Sequence, residues 1–270
     1  MTTTILTREL VLSAPVNLRD LGGIPVSGGV LRSGVAIRTD DLALVTDDVA
    51  ASLERDGLTA IVDLRSPAEV GITGRGPFGS RAVSYHHLPL MADIGRDMRR
   101  QHSLTHEAMG ESYVSMFESC GSQLVTALNV IAYTPGATAF HCAAGRDRTG
   151  VLAAALLLAL GAHDDDIVTD YAKTGANMPA IVDRISCVMG PMLAQLGFDE
   201  SPLRMGGLAE GDMSVSMRRL LGHLRGSYDE PLEPLRRAGL SDDTVARLRA
   251  RAVDARAGAG AAAPTGANAA

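Results

Sequence analysis

Cys142 and Arg148 bracket five residues in the decapeptide His141-Cys142-Ala143-Ala144-Gly145-Arg146-Asp147-Arg148-Thr149-Gly150. An apolar run, Ala137 to Phe140, leads into it, and a longer one, Val151 to Leu160, leads out. That order reads as strand, tight loop, helix. A loop entering a helix gathers unpaired N–H groups at the positive end of the helix dipole, and both favour a bound anion. The same setting favours the thiolate form of a cysteine, which is the nucleophile. An arginine six residues further on offers a planar fork able to grip two oxygens of that anion. Together these parts suit attack on the phosphorus of a phosphomonoester held in the loop.

Each neighbour has a role in that chemistry. Gly145 lets the backbone turn so that the amides from Ala143 and Ala144 through Arg146 to Arg148 face a phosphate. Thr149 is placed to hydrogen-bond the thiolate and to help sulfur leave. His141 orders the loop or tunes the cysteine. A leaving alkoxide needs a proton and the hydrolysis step needs a base. Asp147 is the nearest carboxylate for both, and Asp93, on a polar stretch after Leu88-Pro89-Leu90, is the alternative. Asp63 and Arg65 follow a buried strand and read as an ion-pair support rather than as reacting groups.

Positioning such a loop takes a scaffold. Residues 15–40, rich in glycine, read as short strands and turns. Asp47 to Asp56 reads as a helix capped by Thr46 and stopped by Gly57. Thr59 to Leu64, Ala82 to Leu88 and 137–141 read as strands. Residues 91–109 read as a loop or short helix, and Glu111 to Tyr133 as one long helix. A buried helix over 149–160 ends at Gly161. Asp164 to Lys173, 178–196, Met213 to Arg225 and Asp242 to Val253 read as helices, the last capped by Ser241, with a loop at 197–211. Strands alternating with helices imply an α/β fold, a central mostly parallel sheet flanked by helices with a helical C-terminal region. The loop then lies at the carboxyl end of a strand, where open sheets bind ligands. One domain is expected over 1–254, with a helical subregion near 162–253 and a disordered Ala/Gly-rich tail at 255–270.

Hydrophobic residues at 46% and charged residues at 21% describe a globular chain with a sizeable core. A net charge of −6 argues against a nucleic-acid partner. Three widely spaced cysteines form neither a disulfide framework nor a zinc pattern, so no metal or cofactor is expected. No signal peptide is visible, and residues 151–160 are too short an apolar run to cross a bilayer. The expectation is a cytoplasmic protein without membrane insertion, of open oligomeric state. A phosphorylated protein and a phosphorylated small molecule suit the loop equally. A non-catalytic phosphate-binding module would not need Cys142, Arg148 and an acid together. Sulfur transfer would not need Asp147-Arg148-Thr149.

The pattern His-Cys-x-x-Gly-x-x-Arg-Thr-Gly resembles the phosphate loop of cysteine-dependent tyrosine and dual-specificity phosphatases. It is most similar to the bacterial atypical tyrosine/serine phosphatases, whose loop carries lysine where Arg146 stands. Asn17-Leu18-Arg19-Asp20-Leu21-Gly22-Gly23, Ile61-Val62-Asp63-Leu64-Arg65-Ser66-Pro67-Ala68-Glu69, Ile167-Val168-Thr169-Asp170-Tyr171 and Ala238-Gly239-Leu240-Ser241 with Leu248-Arg249 resemble further motifs of that family, in the same order. The resemblance spans about residues 15–253. It implies a tyrosine-phosphatase-like fold, Cys142 as nucleophile, Arg148 as phosphate clamp and Asp147 as acid and base. The family's loop lysine is linked to a broad substrate range that includes phosphoinositides. Arg146 keeps its charge on a bulkier, planar group.

Overall fold

The strand Ala137–His141 is buried along its whole length and forms the middle of the main sheet. In the computed structural model, which describes residues 10–90, 105–195 and 211–255, that sheet has five strands. They are β1 (Arg19–Asp20), β4 (Ala36–Thr39), β7 (Ala137–His141), β5 (Leu58–Asp63) and β6 (Ser84–His87), in that spatial order. Only β1 runs antiparallel to its neighbour. The register sets Thr39 of β4 and Asp63 of β5 on either side of His141. The residues that follow these three strands therefore meet at one carboxyl edge. A second sheet pairs β2 (Pro25–Val26) with β3 (Gly29–Leu31), and β3 with β8 (Val253–Asp254). It ties the end of the described chain to its beginning.

Strand side chains alternate between faces. Ile61 and Ala139, directly paired, pack with Phe78, Leu42 and Val45 under α1 (Asp47–Arg55). Val62 and Phe140, the next pair, enter the larger core on the other face. There α5 (Asp147–Leu160) is buried on every side. It is enclosed by α3 (His106–Ser119), α4 (Gly121–Tyr133), α6 (Asp164–Ala172) and α10 (Asp242–Ala252). Leu152, Leu156, Leu157 and Leu160 are wholly buried, each worth roughly 1.5–3 kcal/mol of transfer free energy. α8 (Ser214–Ser227) packs on α3 and α6, and α9 (Glu233–Arg237) on α4. Among the described residues, the remaining α-helices are α2 (Pro67–Thr73) and α7 (Met178–Gln195).

The α/β architecture, the parallel sheet and the helical C-terminal region are as expected. Thr46 and Ser241 cap α1 and α10 through their side chains. Two readings need correction. The expected long helix over 111–133 is two helices, α3 and α4, broken at Cys120 (φ −105°, ψ 26°). The break seats Gly121 so close to α9 that a Cβ on it would lie 2.7 Å from Ala238 Cβ. Helix also begins earlier than expected, at His106, where Thr105 accepts from the Ala108 N–H. Helices α2 and α9 and strand β8 were not anticipated. Residues 197–210, read as loop, and 256–270, read as tail, lie outside the described residues.

Candidate active site

Loop 142–146 joins the carboxyl end of β7 to the first turn of α5. Its carbonyls are held from outside. Ala143 O accepts from the Asp41 N–H at 3.1 Å. Ala144 O and Gly145 O accept from Asn17 Nδ2 at 3.3 and 3.0 Å, and Gly145 O also from Arg38 Nη2 at 2.9 Å. In a trans peptide the N–H opposes the C=O, so holding these carbonyls outward turns the following amides inward. The N-cap of α5, Arg146, makes no side-chain cap, which leaves the first-turn N–H groups for an anion.

Gly145 permits this turn. Its φ is +65°, and a Cβ there would lie 2.4 Å from Thr39 O. Gly145→Ala should therefore push the loop off β4 and cut kcat/KM by about 100-fold or more, since a displacement near 1 Å at reacting atoms costs that much. Steady-state kinetics with an aryl phosphate check it; unchanged kcat/KM would contradict the loop geometry.

The outer clamps are themselves anchored. Arg38 Nη1 donates to Asp170 Oδ2 at 2.6 Å and Arg19 Nε to Asp170 Oδ1 at 2.8 Å. Burial pushes the Asp170 carboxyl up, but Arg38 and Arg19 outweigh it and hold it below the usual carboxylate range. Asn17 N–H donates to Asp40 Oδ1 at 3.0 Å, and Arg184 from α7 holds Asp40 Oδ2 at 2.7 Å. Residues from β4, α6 and α7 thus converge on two loop carbonyls.

Arg148 is buried and oriented by Glu69, with Nη1 to Oε2 at 2.6 Å and Nη2 to Oε1 at 2.9 Å. Burial works against the Arg148 charge, but Glu69 and then Cys142 hold its pKa above the ordinary value. Burial raises the Glu69 carboxyl, and Arg148 and Ser66 outweigh it. Glu69 closes a reciprocal capping box with Ser66, with Ser66 N–H to Glu69 Oε2 at 2.6 Å and Glu69 N–H to Ser66 Oγ at 3.2 Å. The start of α2 thereby sets the plane of the guanidinium. A guanidinium has five N–H groups, so others remain to meet an oxyanion.

Cys142 is buried at the base of the loop. The Thr149 hydroxyl is buried and has no hydrogen-bond partner among the described residues. His141 Nδ1 lies 3.2 Å from Cys142 O, with its ring between Asp41 and Asp63 at 3.9 and 3.8 Å. Burial raises the Asp41 carboxyl and Arg65 only partly offsets it. For Asp63, His141 and Arg65 prevail over burial and keep the carboxyl well below its usual range. Arg65 binds both acids, Asp63 Oδ1 at 2.9 Å and Asp41 Oδ2 at 2.9 Å, so Asp63 and Arg65 are directly paired.

Asp147 opens α5, and its Oδ1 accepts a short hydrogen bond from Tyr113 of α3. The Arg146 side chain is buried, its Nε 3.3 Å from Tyr171 Oη and 3.5 Å from Asp147 Oδ1, and its Nη2 3.3 Å from His106 Nδ1. Asp93 lies outside the described residues. Among the described residues, no group of three or more His, Cys, Asp or Glu side chains is arranged to hold a metal ion, and no helix is long and apolar enough to cross a membrane. Sequence reasoning missed Glu69, Tyr113, Tyr171, Arg38 and Arg184 as members of the site. For Glu69 the signal was present, since Ser66-Pro67-Ala68-Glu69 carries a capping-box spacing with proline at the first helical position.

A sequence profile of the tyrosine phosphatase family matches residues 10–254. Triple specificity protein phosphatase PtpB of Mycobacterium tuberculosis is 30% identical over 268 residues, covering 86% of this chain and 95% of that protein. A tyrosine-protein phosphatase of Nostoc commune is 30% identical over 137 residues, covering 50% of this chain and 47% of that protein.

Proposed function

The chain belongs to the tyrosine phosphatase family, and from that membership we propose that it dephosphorylates phosphotyrosine and phosphoserine/threonine in proteins through a cysteinyl-phosphate on Cys142. Sγ of Cys142 attacks phosphorus; the S–P bond forms as the bond to the leaving oxygen breaks, and Asp147 gives that oxygen its proton. Water then attacks phosphorus, Asp147 takes the water proton, and the S–P bond breaks to return the thiolate beside Thr149. The amides of 143–148 and Arg148 stabilise the equatorial oxygens, and this preorganised electrostatic term supplies most of the rate gain.

The observation that carries this reading is the set of loop carbonyls tied outward by Asp41, Asn17 and Arg38 around a buried cysteine. Those clamps hold the amides in place before substrate arrives. The test compares a phosphotyrosyl peptide, a phosphoseryl peptide and a panel of sugar and nucleoside monophosphates, with chelator present. Phosphopeptides should exceed the metabolites in kcat/KM by about 100-fold or more, a gap that remote peptide contacts supply. A metabolite turned over faster than both peptides would move the substrate class.

A further inference from the structure

Tyr113 is wholly buried, and its hydroxyl touches two polar groups, Asp147 Oδ1 and Tyr171 Oη, the latter at 2.7 Å. The two rings meet edge to face, with centroids 6.0 Å apart. Arg146 Nε lies 3.3 Å from the Tyr171 oxygen. The directions of these bonds follow from which groups carry hydrogens. An ionised carboxylate only accepts, so the Tyr113 proton points at Asp147. Tyr113 must then accept from Tyr171, and Tyr171 from the guanidinium, which only donates. The result is a one-way chain from Arg146 through Tyr171 and Tyr113 to Oδ1 of Asp147.

A carboxylate in the first turn of a helix ordinarily bonds the free N–H groups of that turn. Among the described residues, no backbone N–H donates to Asp147. Tyr113 holds the side chain away from them, and the amides stay available to the phosphate. Oδ2 has no hydrogen-bond partner among the described residues, and the side chain is 27% exposed. The two oxygens of Asp147 are therefore unequal. Oδ1 remains an acceptor whether Asp147 is ionised or protonated, so the proton must reside on Oδ2.

We propose that Tyr113 is a positioning residue for the proton transfer, holding Oδ1 of Asp147 so that Oδ2 alone gives the proton to the leaving oxygen and takes it back from water. This rests on Asp147 being the acid. Burial, then the adjacent Asp147 and Tyr171, push the Tyr113 phenol well above its ordinary value, so it keeps its own proton through both steps. Arg146 starts the chain, and its Nε also lies 3.5 Å from Oδ1 of Asp147. No step requires more than the single proton that Asp147 gives and regains.

The experiment is a leaving-group series, from nitrophenyl to phenyl to alkyl phosphates, on wild type, Asp147→Asn, Tyr113→Phe and Tyr171→Phe, with thermal unfolding of each. In kcat/KM, which reports the step that forms the cysteinyl-phosphate, Asp147→Asn should slow alkyl and phenyl esters by about 100-fold or more and nitrophenyl esters little, the usual weight of general acid catalysis. Tyr113→Phe should show the same selectivity at roughly tenfold, and Tyr171→Phe a smaller version, because it removes the donor to Tyr113. Equal slowing of all esters by Tyr113→Phe, or no slowing, would overturn the proposal and reduce Tyr113 to packing. Should Tyr113→Phe fail to fold, Tyr171→Phe decides on the same criterion. A non-selective Asp147→Asn would instead overturn the assignment of Asp147 as the acid.

Discussion

Cys142→Ser should bind phosphorylated substrates and turn over none of them, with activity down about 10,000-fold or more. Serine keeps the size of the side chain and the hydrogen-bonding neighbourhood. It loses the group that ionises readily, and a hydroxyl needs a partner base to attack. The ring beside it is not aimed to serve, since His141 Nδ1 faces Cys142 O and the imidazole is wedged between Asp41 and Asp63. Steady-state assay with a nitrophenyl ester measures the loss, and unfolding curves should match wild type. Turnover within tenfold of wild type would remove Cys142 from the chemistry.

Arg148→Lys should lower kcat by about 1000-fold, near 4 kcal/mol of transition-state stabilisation, with a smaller change in KM. Lysine keeps a positive charge beside Glu69 and avoids leaving that buried carboxylate unpaired, which would cost about 3–5 kcal/mol of stability. What it loses is the plane. Arg148 meets Glu69 with both Nη atoms, and that double contact sets how its other N–H groups face the loop. An ammonium is a point charge that cannot span two equatorial oxygens. A kcat within threefold of wild type would mean that Arg148 serves folding alone.

The loop and the elements on either side of it were legible because their signals are local. An apolar run of strand length, a glycine at the turn and a long apolar run after it define strand, loop and helix without tertiary information. Within loop 142–146, the residue with positive φ is the glycine assigned to the turn, Gly145. The break at Cys120 was not legible, because 111–133 reads as one helix and the close approach at the break, of Gly121 to Ala238 just after α9, comes from a segment more than 100 residues away. The clamps on the loop were hidden for a related reason. Asn17, Arg38 and Arg184 act across more than 100 residues or through partners that do so, and nothing near them in sequence marks what they hold. Tyr113 read as a core position, which it is; its hydroxyl gains meaning only from Asp147, 34 residues away. The contacts of the Arg146 side chain with Tyr171 and His106 were likewise not legible, because both partners come from other helices.

The central claim is a covalent phosphoryl group on Cys142, and a rapid denaturing quench during turnover of a nitrophenyl ester tests it directly. Peptide mass measurement should find one phosphoryl group on the peptide containing Cys142, in wild type and more abundantly where hydrolysis is slowed by Asp147→Asn. Cys142→Ser should carry none. A phosphoryl group on any other residue, or full turnover with none on Cys142 at the earliest times, would contradict the account.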